Sequence, residues 1–272
     1  MYFFLKENRR KHFINFAMGI EYNGKMFHGW QIQKKITTVQ EIVERALSQF
    51  ANHSISVIAA GRTDSGVHSI GQVINFHTSA IREKFSWILG VNSYLPKDIS
   101  VRWIKVVPDF FNARHHAISR LYRYVILNTK FRSALFFDFF THIHQHINTK
   151  KMNNASQYLL GEHDFSSFRS SLCQSLVPIR KIFSIKVFRK NLFVIIEIKA
   201  NSFLHHMVRN IAGSLLEVGI SKRKENWVYE LLQKKDRKFC AAMLPAKGLY
   251  LVNVEYPIFF KIPKTIDESF LI

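Results

Sequence analysis

The sequence is poor in cysteine, in acid and in long apolar runs. Only two cysteines occur in 272 residues, Cys173 and Cys240, with no paired spacing. That excludes a disulfide framework and a cysteine-built zinc site, and it favours a reducing compartment. No window approaches the ~18 consecutive apolar residues of a membrane-spanning helix. The N-terminus places Tyr2-Phe3-Phe4-Leu5 ahead of Lys6, Arg9, Arg10 and Lys11, the reverse of a secretory signal. Residues 1–12 therefore read as a basic N-terminal extension, and the expected setting is cytoplasmic. No short-period repeat and no low-complexity linker interrupts the chain.

The shortage of acid leaves 39 Lys+Arg against 19 Asp+Glu, a formal charge of +20. A hydrophobic content of 47% with 14% aromatics excludes a disordered basic tail, because there is ample material for a core. A folded chain with this surplus needs a polyanionic partner. Nucleic acid is the first candidate and an anionic membrane surface the second; the absence of membrane segments turns the reading toward nucleic acid.

Periodicity organises the chain into a series of strands and helices. Residues 13–22 read as a buried strand. Thr38 stands at capping-box spacing from Glu41, and Val39, Ile42, Val43, Ala46, Leu47 and Phe50 follow at helical period. Strands are expected at 55–60, 71–77 and 99–107, with a helix over 82–93. The second half repeats the rhythm with strands at 121–128, 181–189, 192–199 and 249–254. Its helices are expected at 150–160, 204–218 and 224–234, with Gly219 as the C-cap of the second. The fold class is α+β: two similar halves, 13–110 and 111–272, each a mainly antiparallel sheet with helices on one face. The seam falls near Pro108–Asn112.

The segment richest in chemistry is Gly61-Arg62-Thr63-Asp64-Ser65-Gly66-Val67-His68. Two glycines bracket an acid at a strand end, so the backbone can turn tightly and present the carboxylate. Arg62 is near enough in sequence to hold that carboxylate ionised, and an ionised, positioned aspartate can act as a nucleophile. The plain alternative is a structural turn in which Asp64 bonds the backbone.

The wider sequence resembles the TruA family of tRNA pseudouridine synthases. The resemblance rests on Gly19-Ile20-Glu21-Tyr22-Asn23-Gly24, Gly29-Trp30-Gln31 and the Gly61–His68 segment. It continues through Phe111-Asn112-Ala113-Arg114, Tyr122-Arg123-Tyr124, Gly161-Glu162-His163-Asp164-Phe165 and Cys173-Gln174-Ser175. Ala200-Asn201-Ser202-Phe203-Leu204-His205-His206-Met207-Val208-Arg209-Asn210 and Gly248-Leu249-Tyr250-Leu251 complete it. Order and spacing agree from about residue 13 to 256.

The resemblance implies a pseudouridine-synthase-like core with a central cleft. It implies isomerisation of uridines 38, 39 and 40 of the tRNA anticodon stem-loop, without metal or organic cofactor. Asp64 takes the place of the catalytic aspartate, Tyr122 that of the active-site tyrosine, and Arg209 that of the arginine paired with the aspartate. Leu249 would pack on the uracil, and Arg62 would enter the stem behind the flipped base. Phe111, Asn112, Ala113, Arg114 and His115, with Leu172, Cys173, Gln174, Ser175 and Leu176, match tRNA-contacting segments. A homodimer is implied as well. Met243-Leu244-Pro245-Ala246 departs from the pattern, which loosens the placement of Leu249. A non-catalytic RNA-binding protein on the same fold, or a synthase for another uridine, stays open.

Other features carry weaker expectations. Tyr124 reads as core. His142, His144 and His146 alternate and would share one face of a strand, but nothing else there suggests a metal. His205 and His206, placed on a helix, would point about 100° apart and could not readily ligate one ion. Arg180-Lys181, Lys186, Arg189-Lys190, Lys222-Arg223-Lys224 and Lys234-Lys235 could extend an RNA footprint or be solvated faces.

Overall fold

Strand β1 (Ile14–Tyr22) is buried along nearly its whole length, as a strand must be that is flanked on both edges. In the computed structural model, which describes residues 13–263, it pairs antiparallel with β3 (His68–Thr78) and β4 (Ile99–Val106). The extension expected over residues 1–12 lies outside the described residues. β2 (Ile58–Ala59) adds to the far side of β3. The C-terminal half repeats the scheme: β5 (Ser119–Asn128) lies between β10 (Leu249–Glu255) and β9 (Phe193–Ala200), and β8 (Ile179–Lys190) adds to β9. With β6 and β7 set aside, the pairing is the same in both halves: the first strand sits between the fourth and the third, and the second pairs the third.

The halves fuse into one ten-stranded sheet of order β4-β1-β3-β10-β5-β9-β8-β7. β7 (Gly161–Asp164) is an edge, and β6 (Thr141–Ile143) pairs β5. The join is a short parallel contact in which Tyr250 faces His68 and Leu251 faces Ser69. Everything that proves chemically interesting lies beside this join.

Two large cores flank it. Helices α1 (Val39–Ala51) and α2 (Lys84–Tyr94) pack over the N-terminal half, burying Val43, Leu47 and Trp87 against Met18, Ile20, Ile74 and Phe76. Helices α3 (Thr149–Ser156), α4 (Met207–Gly219) and α5 (Trp227–Lys234) pack with Tyr124, Ile126, Ile196 and Ile198 of the C-terminal half. α4 is buried on almost every side, so each large apolar side chain on it contributes about 1.5–3 kcal/mol. On the opposite face of β5, Leu121, Val125 and Leu127 form a smaller cluster with Tyr250, Val252 and Phe140.

Four local expectations need correction. Thr38 is the N-cap of α1 but makes no side-chain cap bond. The first amides of the helix donate instead to loop carbonyls, Val39 N to Gly29 at 3.1 Å and Gln40 N to Trp30 at 3.0 Å. The strand expected over 55–60 shrinks to two residues because Ile55 N and Val57 N bond Ser48 Oγ and Glu44 Oε1 of α1. Gly219 ends α4 without the left-handed backbone of a C-cap glycine; its value is close packing, since a Cβ there would stand 2.6 Å from Met152 Sδ. The helix expected from residue 204 begins at Met207, which frees His205 and His206 from helical geometry.

Candidate active site

The loop between β2 and β3 carries Asp64, and nearly every residue of it is tied down. Ala60 N donates to Val73 O at 2.8 Å. Gln72 brackets Gly61, accepting from its amide at 3.3 Å and donating to its carbonyl at 2.7 Å. Thr63 is held on two sides: its Oγ1 lies 2.8 Å from Tyr22 Oη, and its carbonyl accepts from Trp30 N at 3.0 Å. Val67 N closes a turn onto Asp64 O at 3.1 Å, with Gly66 at φ 77°. Gly29, at φ 85°, backs against the loop so closely that a Cβ would meet Thr63 O at 2.7 Å. The path runs from the α1 N-terminus through Gly29-Trp30 to the aspartate. The carboxylate therefore sits on a rigid base.

Three basic side chains from the α4 region converge on that carboxylate. Arg209 Nη1 lies 3.3 Å from Oδ2, and its Nε donates to Leu244 O at 2.9 Å. His205 Nε2 is 3.5 Å from Oδ1 and His206 Nε2 is 3.6 Å from Oδ2, the two rings lying 3.7 Å apart. The convergence is possible because His206 is the N-cap of α4 with left-handed backbone, φ 65°, a conformation that costs about 1 kcal/mol or more for a non-glycine residue. Burial holds the His206 imidazole below its ordinary pKa, against the pull of Asp64. Arg62, the partner first expected, forms no ion pair among the described residues. It is exposed and lies on the rim.

Asp64, Arg62, Tyr122, Arg209 and Leu249 line one cleft of about 1180 Å³ at the join between the halves. Tyr122 projects from β5 and is fixed by an edge contact to Phe203, ring centroids 5.1 Å apart. Its hydroxyl lies over the Asp64 loop, 3.7 Å from where a Cβ at residue 61 would stand. Burial, with Tyr22 and Asp64 adding to it, pushes the Tyr122 phenol well above its ordinary pKa. Tyr124, two residues along, is spent on structure: its hydroxyl lies 2.5 Å from Thr141 Oγ1 and donates to Pro245 O at 2.8 Å. Leu249 stands opposite Tyr124 at the start of β10.

The segments expected to touch RNA divide. Arg114, Leu172 and Gln174 are exposed and line the cleft, together with half-buried Cys173 and Ser175. His115 and Leu176 are exposed outside its lining. The side chains of Phe111 and Ala113 are buried, Phe111 against Tyr256 and Phe260, so neither can meet RNA directly. Asn112 Oδ1 accepts from the amides of Arg114 and His115, both at 3.0 Å, which shapes the loop.

Asp64, His205 and His206 are the one group of metal-type donors among the described residues that gather, within 4.8 Å of one another. The helix-based separation of the two histidines is thus corrected. A divalent ion there would nonetheless face the Arg209 guanidinium already on Oδ2, so the carboxylate is committed to arginine. His142, His144 and His146 do not gather: β6 ends at Ile143, and His142 Nε2 bonds Thr129 O at 2.8 Å.

Comparison with known proteins supplies an independent line. A family model described as tRNA pseudouridine synthase matches residues 18–115 and 155–257. The chain is 57% identical over 259 residues to a tRNA pseudouridine synthase A of Buchnera aphidicola subsp. Acyrthosiphon pisum (strain APS), covering 95% of this chain and 97% of that protein. It is 50% identical over 260 residues to the protein of that description in Cronobacter sakazakii, covering 96% of both.

Proposed function

This chain belongs to the tRNA pseudouridine synthase family, an isomerase, and from that premise we propose that it acts on uridines 38, 39 and 40 of the anticodon stem-loop with Asp64 as nucleophile. The observation that carries the reading is the Asp64 carboxylate, held on a pinned loop against buried Arg209 in a cleft large enough for a nucleoside. The reaction breaks the N1–C1′ bond and joins C5 to C1′. C5 loses a proton and N1 regains one, so nothing is oxidised or lost. Addition of the carboxylate to C1′, its assistance of a glycal-forming elimination and its addition to C6 all make the same demand: a carboxylate oxygen within reach of the extruded nucleoside.

A uridine in a stem is stacked and must be flipped out. On this reading Arg62 fills the vacated space, and its exposed position in the cleft lining supports that role. Tyr122 and Leu249 offer apolar surfaces to the uracil. Because its phenol keeps its proton at neutral pH, Tyr122 can take the C5 proton only by giving up its own. Arg209 holds the carboxylate in place and faces any negative charge that develops. Arg114 and the 172–175 segment contact backbone and sugar, positioning the RNA without reading its sequence. Under this reading the enzyme is a cytoplasmic homodimer whose +20 charge per chain draws in the tRNA.

The test uses unmodified tRNA transcripts tritiated at uridine C5, carrying uridine at position 38, 39 or 40 alone. Tritium release from each, with pseudouridine mapped to that position, is expected. Release only from transcripts with uridine elsewhere would redirect the substrate.

A further inference from the structure

The guanidinium of Arg120, on β5 two residues before Tyr122, is buried, with 9% of the residue exposed. It forms no ion pair among the described residues. All five of its N–H donors go to main-chain carbonyls instead. Nε and Nη2 donate to Ala60 O at 3.2 and 2.8 Å, and Nη2 also to Arg114 O at 2.8 Å. Nη1 donates to Ala117 O at 3.1 Å and Asn201 O at 2.8 Å.

These acceptors are the anchor points of the cleft. Ala60 immediately precedes the Gly61–Asp64 loop. Arg114 lies in the segment whose side chain lines the rim, and Asn201 opens the stretch that leads through Phe203 to His205 and His206. One planar fork thus ties the nucleophile loop, the rim and the histidine turn to the strand bearing Tyr122. Burying a cation without a carboxylate is costly, and a core needing only filling would use an apolar residue.

We propose that Arg120 is a positioning residue that sets the Asp64 loop and the Phe203–His206 turn in register with Tyr122. The inference rests on the reading of Asp64 as nucleophile. A lysine retains the charge but, as a point donor, cannot reach four divergent carbonyls. Displacing a reacting group by about 1 Å costs on the order of 10²-fold in rate.

The test compares the wild type with R120K, R120Q and D64A, full chain, using C5-tritiated anticodon stem-loop tRNA. Circular dichroism, tRNA affinity and single-turnover rate are measured separately. Both Arg120 variants are expected to keep the native spectrum and to bind tRNA within about threefold of wild type, while the rate falls at least about thirtyfold. Wild-type rate in R120K would overturn the fork in favour of charge alone. Equal loss in affinity and rate would overturn positioning in favour of RNA binding. Loss of the native spectrum in both variants would assign the five bonds to the fold as a whole and overturn it too. An active D64A would sink the nucleophile reading and take this inference with it, whereas an inactive D64A beside a fully active R120K would sink the inference alone.

Discussion

Arg209 and Asp64, 145 residues apart in sequence, meet at 3.3 Å in the floor of the cleft. The arginine is the more buried of the two, with side-chain exposures of 11% and 19%. Its position is set from behind by the bond to Leu244 O, so it approaches the carboxylate along a fixed line.

Arg209→Lys separates charge from geometry. An ammonium cannot serve Leu244 O and Asp64 together from that helix position. The rate is expected to fall about 10²-fold, with a loss of stability of about 1–3 kcal/mol from the orphaned acceptors. Single-turnover kinetics and urea unfolding check the two effects; an unchanged rate would mean that the pair only braces the fold.

Tyr122→Phe keeps the ring and its edge contact with Phe203 while removing the hydroxyl. Affinity for tRNA is expected to hold, and the rate to fall about 10²-fold. If the hydroxyl serves C5 proton transfer, deuterium at C5 should slow the variant more than the wild type. Because the phenol is pushed well above its ordinary pKa, the wild-type rate should show no ionisation of Tyr122 between pH 6 and 9.

His68 gives the fold a pH dependence of its own. It is 2% exposed, its Nδ1 accepts from Gly24 N at 3.0 Å, and its ring stacks on Tyr250. Burial lowers its pKa from 6.5 to about 4. Between those values the unfolded chain binds a proton that the folded chain refuses. Its contribution is therefore full above pH 6.5 and is lost as pH falls toward 4, at most about 3 kcal/mol. Urea unfolding from pH 7 to 4.5 should show a steeper loss for wild type than for H68Q; parallel curves would refute the assignment.

Much of this architecture was legible in the sequence because the signals are local. The apolar stripe of α1 and the buried run of β1 appear where periodicity places them. Expectations failed where a distant group satisfied the backbone. Thr38 reads as a capping residue, but carbonyls of Gly29 and Trp30 take the amides. Residues 55–57 read as strand, but side chains of α1 hold them. The histidine pair was misplaced for a related reason: the helix begins only at Met207, and nothing local marks His206 as left-handed. Asp64 could be singled out from its glycines and from the family resemblance. The role of Arg120 could not, because its partners are carbonyls up to 81 residues away, and any residue type can supply a carbonyl.

Charge should govern affinity more than rate. With ~6 phosphates contacted, raising salt from about 50 to about 200 mM is expected to weaken tRNA binding about 10³-fold. The single-turnover rate of bound tRNA should barely change. Filter binding and saturating kinetics across the same salt series distinguish the two, and a flat binding curve would contradict the assignment of the +20 surplus to RNA.

The central claim is tested most directly by Asp64→Ala in single-turnover tritium release from C5-labelled tRNA, with enzyme in excess. The variant is expected to fold, to bind tRNA as the wild type does, and to release no tritium above background while the wild type goes to completion. Release by the variant at the wild-type rate would contradict the account.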